Sequence, residues 1–225
     1  MCGRFALDAP ASRIQAIFGL PALPELVPRY NVAPGTRIAG VLTDVYGPKL
    51  EWFHWGLVPS WAKDRKIGYR ALNARSETAR TKPMFRSAFK RRRMLVPMSG
   101  FFEWTREGKT KKQPWHIRGA DGEPLAVAGL WETWTDPEGE ELRSATLMTT
   151  TPNDLMAPIH NRMPVILPAN TWETWLAEDS EPDVLQELLV PYAGALEAFK
   201  VSTYVNKVAN KGPTCIEPLD DSGEE

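Results

Sequence analysis

The chain has 225 residues, 43% of them hydrophobic, and a formal net charge of −1. That size and composition fit a packed core in one large domain or two small ones, and they exclude a polycation that binds nucleic acid through bulk charge. Two cysteines, Cys2 and Cys215, are too few for a disulfide framework. No run reaches the ~20 apolar residues of a membrane span and nothing resembles a secretory signal, so the cytoplasm is the expected compartment; a monomer is expected. Three histidines and two distant cysteines show no metal-ligand spacing, and no cofactor is expected.

The chain opens Met1-Cys2-Gly3-Arg4. Initiator methionine is removed before a small second residue, so the mature protein is expected to begin at Cys2. Its α-amine titrates near ~7.7 and its thiol near ~8.5, so both have a nucleophilic fraction at neutral pH. Such a 1,2-aminothiol is suited to an aldehyde: the amine condenses to a Schiff base and the thiol closes a thiazolidine ring. Arg4 beside it predicts a lowered thiol pKa. The alternative is an incidental, unreactive cysteine.

Asp8 and Pro10 predict the start of a short helix with Ile14, Ile17 and Phe18 on one face. Arg29 to Gly35 is polar and aromatic and ends in a turn. Arg37–Thr43 and Lys49–Trp55 predict a hairpin through Gly47-Pro48. Trp55 and Trp61 flank an ordered loop, and either is suited to stacking on a base or to the core. Lys63 to Lys66 reads as exposed. On an extended Leu72–Thr78, Asn73 and Arg75 face the same side. A helix is predicted over about Pro83–Arg92, ending in basic residues that favour its dipole.

Met94–Val96, Phe101–Thr105, Pro114–Ile117, Leu125–Trp134, Ser144–Thr150, Val165–Leu167 and Phe199–Thr203 read as strands, with a basic hairpin tip at Arg106–Lys112. Helices are predicted over about Ala169–Ala177 and Pro182–Leu189. Strands and helices do not alternate regularly, which predicts an α+β single domain over 1–218. Residues 219–225 read as an acidic disordered tail.

Glu103 lies among Phe101, Phe102 and Trp104, where desolvation raises a carboxyl pKa and makes a general acid. An exposed glutamate on a half-buried strand is the plainer alternative. His160 is a proton-transfer candidate. Arg4, Arg29, Arg75, Arg86 and Arg162 are candidate phosphate contacts, preferred over the Lys90–Arg93 run, which reads as a solvated helix face.

Several segments then share one resemblance. Met1-Cys2-Gly3-Arg4-Phe5, Arg29 to Pro34, Trp55 to Pro59, Asn73 to Thr78, Gly100 to Trp104, His160 to Pro164, and Val205-Asn206 through Gly212 to Pro218 stand in the order seen in the SOS-response-associated peptidase family, the abasic-site processing proteins. The resemblance covers nearly the whole chain. It implies a bifurcated, barrel-like mixed sheet surrounded by short helices. It also implies a single-stranded DNA partner containing abasic sites and a thiazolidine crosslink, with lyase chemistry as a side reaction. By motif Cys2 is the nucleophile, with Asn73, Glu103 and His160 in supporting catalytic roles. Arg4, Arg75 and Arg162 match positions near phosphates, and Trp61, Arg86, Asn31 and Pro34 are further expected DNA contacts. Met98-Ser99 departs from the Ala-Asp common in relatives, and the basic stretch between Trp61 and Asn73 looks variable. A self-processing cysteine peptidase and a non-enzymatic single-strand binder are the rival readings.

Overall fold

The computed structural model describes residues 2–107 and 111–219. The chain enters on β1 (Phe5–Leu7), a strand with three buried residues that sequence reading had not marked. Helix α1 (Ala11–Phe18) buries Ile14 and Phe18 and stops at Gly19. Asp8 does not cap it. Pro10 holds the N-cap position, and the Asp8 backbone N–H donates to Ser99 Oγ at 2.9 Å.

After β2 (Arg29–Val32) comes the predicted hairpin, β3 (Arg37–Asp44) and β4 (Gly47–Trp55), in register from Arg37↔His54 to Asp44↔Gly47. The loop after β4 packs on a 3-10 turn at Arg65–Arg70. Gly56 has φ 134°, and a Cβ there would lie 2.9 Å from the Gly68 carbonyl oxygen. A Cβ on Gly68 would lie 2.6 Å from the Gly56 carbonyl oxygen. The two backbones touch where only glycine fits.

The chain continues through β5 (Asn73–Arg75), α2 (Ser76–Ala79), α3 (Arg86–Arg91), β6 (Arg93–Met98), β7 (Gly100–Glu107), β8 (Lys111–Gly119), β9 (Leu125–Thr135) and β10 (Glu141–Thr150). It ends with β11 (Met163–Pro164), α4 (Trp172–Leu176), α5 (Pro182–Glu187) and β12 (Leu196–Lys200). The predicted helix over Pro83–Arg92 is shorter because the Phe85 N–H bonds to Lys82 as a turn before α3 begins. Val165–Leu167 yields only one bridge, Val127↔Ile166, with β11 just ahead of it.

Two sheets result. One is ordered β12-β8-β7-β1-β2. The other runs β11-β10-β4-β3-β6-β9, and β9 also pairs with β10, so five of its strands close a ring. The ring is mixed: β10 runs parallel to β4, and β5 is added parallel to β10. The architecture is an α+β single domain with a closed five-stranded barrel. Its main core includes Phe53, Trp55, Met94, Leu130 and Leu147, while Ala6, Phe102, Val201, Val205 and Cys215 form a second cluster on the smaller sheet.

Arg93 ends the basic run as a buried donor, not a solvated one: its guanidinium reaches the carbonyls of Phe89, Lys90, Trp175 and Ala177. No described helix is long and apolar enough to cross a membrane. The predicted acidic tail, from 220 onward, and the hairpin tip at 108–110 lie outside the described residues.

Candidate active site

The N-terminal segment runs into β1, which is paired on one side with β2 and on the other with β7. The Phe102 N–H donates to the Arg4 carbonyl at 2.9 Å, extending that pairing back toward Cys2. From the other sheet, Asn73 Nδ2 donates to the Cys2 carbonyl at 2.9 Å. Asn73 begins β5, held by β10 at Leu147↔Asn73. Cys2 is thus pinned between the sheets, and Asn73 Oδ1 is buried with no partner among the described residues.

The predicted effect of Arg4 on the thiol is reversed. The Arg4 guanidinium donates to Asn31 Oδ1 at 2.7 Å and to the Val205 carbonyl at 2.9 Å, and it lies against Cys215 rather than Cys2. Burial pushes the Cys2 thiol pKa up, and the nearby Glu103 carboxylate acts in the same direction.

Glu103 is on β7, only 3% exposed. It shares a strand face with Phe101 of the main core, since alternate residues point the same way. Burial raises its pKa to about 7. His160 Nε2 lies 3.9 Å from Glu103 Oε2. Burial lowers the pKa of His160, so its neutral form dominates at neutral pH. Nδ1 sits between the Arg162 N–H at 3.0 Å and the Arg162 carbonyl oxygen at 3.1 Å. That nitrogen can gain or lose a proton without losing its anchor. The His160 N–H itself bonds to Met156, closing the turn after β10.

Glu103 and His160 open onto a cleft of about 550 Å³, shared with Arg4, Trp104, Lys112 and Asn206. A second cleft of about 780 Å³ brings together Trp61, Asn73 and Arg75 with Arg70, Lys82 and Met84. Trp61 is 58% exposed, whereas Trp55 is fully buried and donates its indole N–H to Leu72. No acidic side chain lines this second cleft among the described residues.

Other predicted contacts are placed differently. Asn31 is 2% exposed. Its Nδ2 donates to the carbonyls of Val205, Lys207 and Asn210, so it braces the 203–210 segment instead of facing a ligand. The Arg162 guanidinium is occupied by Glu77, at 2.5 and 3.0 Å, and by the Thr149 carbonyl at 2.6 Å. This grip positions the His160 turn. Pro34 is half-buried and Arg86 exposed, and neither is among the described residues lining the two clefts. Sequence reasoning missed Arg70, Lys82, Lys112, Trp104 and Asn206 as wall residues. Trp104 and Asn206 sat inside quoted segments, but nothing local showed that they meet.

A buried acid of raised pKa beside a histidine, next to a buried cysteine near the start of the chain, is a cluster of groups able to exchange protons. The comparisons give the family. The model for "SOS response associated peptidase (SRAP)" matches residues 1–208. The abasic site processing protein YoqW of Bacillus subtilis is 43% identical over 222 residues, 96% of this chain and 99% of that one. The abasic site processing protein YedK of Escherichia coli is 30% identical, over 97% of this chain and 100% of its own. A crystal structure of a Bacteroides thetaiotaomicron protein superposes with a TM-score of 0.88 at 28% identity, covering 97% of this chain and 100% of that one. The chain belongs to the SOS response associated peptidase family.

Proposed function

We propose that the protein senses and shields abasic sites in single-stranded DNA by joining Cys2 covalently to the ring-opened sugar aldehyde. The relatives named as abasic site processing proteins support the substrate. The observation that carries the chemistry is the convergence on Cys2: Asn73 on its carbonyl, with the Glu103–His160 pair beside it.

With Met1 removed, the Cys2 α-amine adds to the aldehyde carbon and gives a carbinolamine. Loss of the former aldehyde oxygen as water leaves an imine. That departure needs an acid, and Glu103, with a pKa of about 7, is partly protonated at neutral pH. The thiol is held protonated by burial, so the imine forms first. Sulfur then bonds to the imine carbon, the C=N π pair moves to nitrogen, and nitrogen takes a proton. The thiol proton leaves to the Glu103 carboxylate or to His160 Nε2. Aldehyde and aminothiol give thiazolidine and one water, with no oxidant. An imine that escapes ring closure is open to β-elimination, which makes strand cleavage a side reaction.

The second cleft supports single-stranded substrate. Arg70, Arg75 and Lys82 supply cations along a backbone path, and exposed Trp61 supplies a stacking face. Cys2→Ala separates the two nucleophiles. It keeps an α-amine and should form an imine with abasic single-stranded DNA that borohydride traps. It should give no heat-stable adduct without reductant. A stable adduct from Cys2→Ala alone would show that the thiol does not close the ring, and would leave room for a cysteine-independent linkage.

A further inference from the structure

The wall of the catalytic cleft contains an exposed donor with no acceptor among the described residues. Trp104 Nε1 donates to Asn206 Oδ1 at 2.7 Å. An indole N–H can only donate, so the atom it meets is the amide oxygen, and the orientation of the amide is thereby set. Asn206 Nδ2 is left with two N–H groups and no acceptor among the described residues. Both residues line the cleft with Glu103, His160, Arg4 and Lys112.

The amide is also held rigidly. Asn206 ends the 3-10 turn Thr203–Asn206, whose Tyr204 N–H bonds to Ser202 Oγ at 3.2 Å. The Val205 carbonyl, one residue earlier, receives Arg4 Nη1 and Asn31 Nδ2. The Lys207 carbonyl, one residue later, receives Asn31 again. A donor clamped on both sides loses little entropy when it meets a ligand. The wall also carries two cations, Arg4 and Lys112, against one carboxyl, Glu103, whose pKa burial raises to about 7, so the acceptor that suits this corner is an anion.

We propose that the Asn206 amide is a substrate-contacting residue whose NH₂ group binds a phosphodiester oxygen next to the abasic nucleotide. The inference rests on the DNA-binding reading above, and it assigns a contact independent of the covalent step. A purely structural Asn206 would serve only to accept the Trp104 hydrogen bond.

Aspartate separates the two roles. Asn206→Asp keeps an oxygen for Trp104 but turns a negative charge toward the phosphate. Asn206→Ala removes both the acceptor and the donor. Binding of a labelled, undamaged single-stranded oligonucleotide is followed by anisotropy at low ionic strength, with thermal unfolding as the folding control. Asn206→Ala should weaken binding by roughly 10-fold or more, the loss of one hydrogen bond to a charged group. Asn206→Asp should weaken it further while melting like the wild type. Wild-type affinity in Asn206→Asp would overturn the proposal. Equal losses in the two variants would overturn it as well, because a charge set against a phosphate must weaken binding more than a missing donor. This ordering of the two variants, together with no adduct between the wild-type protein and abasic DNA, would refute the crosslinking chemistry and leave the phosphate contact standing.

Discussion

Glu103 shows what the site demands of a single side chain. Its folded pKa of about 7 stands above its unfolded value, so between about pH 4.5 and 7 the folded state holds more protons than the unfolded one. Stability is therefore fully present at acid pH and declines as pH rises through that window, by roughly 3 kcal/mol for a shift of this size. Glu103→Gln should match the wild type near pH 4 and exceed its unfolding free energy near pH 8, while crosslinking slows by about 10²–10⁴. A stability difference that is the same at both pH values would mean that Glu103 ionises normally. Cys2, Asn73, Glu103 and His160, singled out from short motifs, do come together in the fold, and the desolvation of Glu103 among aromatics was readable. The direction of the Cys2 shift was not. It depends on burial and on the Arg4 guanidinium turning toward Asn31 and Cys215, and adjacency in sequence carries neither.

Among the elements, the 203–210 segment is the most instructive. It packs against β7 through Trp104 and is held from β2 by Asn31, which satisfies three of its carbonyls. Asn31→Ala would remove three hydrogen bonds to those carbonyls and the Arg4 acceptor, while Arg4 still reaches the Val205 carbonyl, and is expected to destabilise the protein by about 1–3 kcal/mol in urea unfolding. It should slow crosslinking only through loss of the cleft wall. Full stability with weakened DNA affinity would instead make Asn31 a direct contact. The β3–β4 hairpin was legible because two short apolar stretches flank the turn signal Gly47-Pro48. The last strand was displaced, from Phe199–Thr203 to Leu196–Lys200, because its register is set by β8 at Leu196↔Gly119, a partner far away in sequence. Strand β1 is three residues long, too short for any periodic pattern.

At the scale of the whole molecule, the candidate site lies at the junction of two sheets. The smaller sheet carries Glu103 and is entered by the segment that holds Cys2, and the barrel carries Asn73 on its β5 edge and His160 in the turn after β10. The α+β class was readable from irregular alternation of elements. The barrel-like sheet came only with the family resemblance, because the parallel pairing that helps close the ring, Ser144↔His54 between β10 and β4, joins segments with several other elements between them. A net charge of −1 hides a groove with three cations, which only folding gathers into one place. The account as a whole requires a free Cys2 amine and a thiol that act on one carbon. Intact mass spectrometry of the protein after incubation with an abasic single-stranded oligonucleotide, without reductant, tests this most directly. The predicted species has the mass of the chain lacking Met1 plus the oligonucleotide minus one water, and it survives heating. An adduct that retains Met1, or one that is detected only after borohydride, would contradict the thiazolidine.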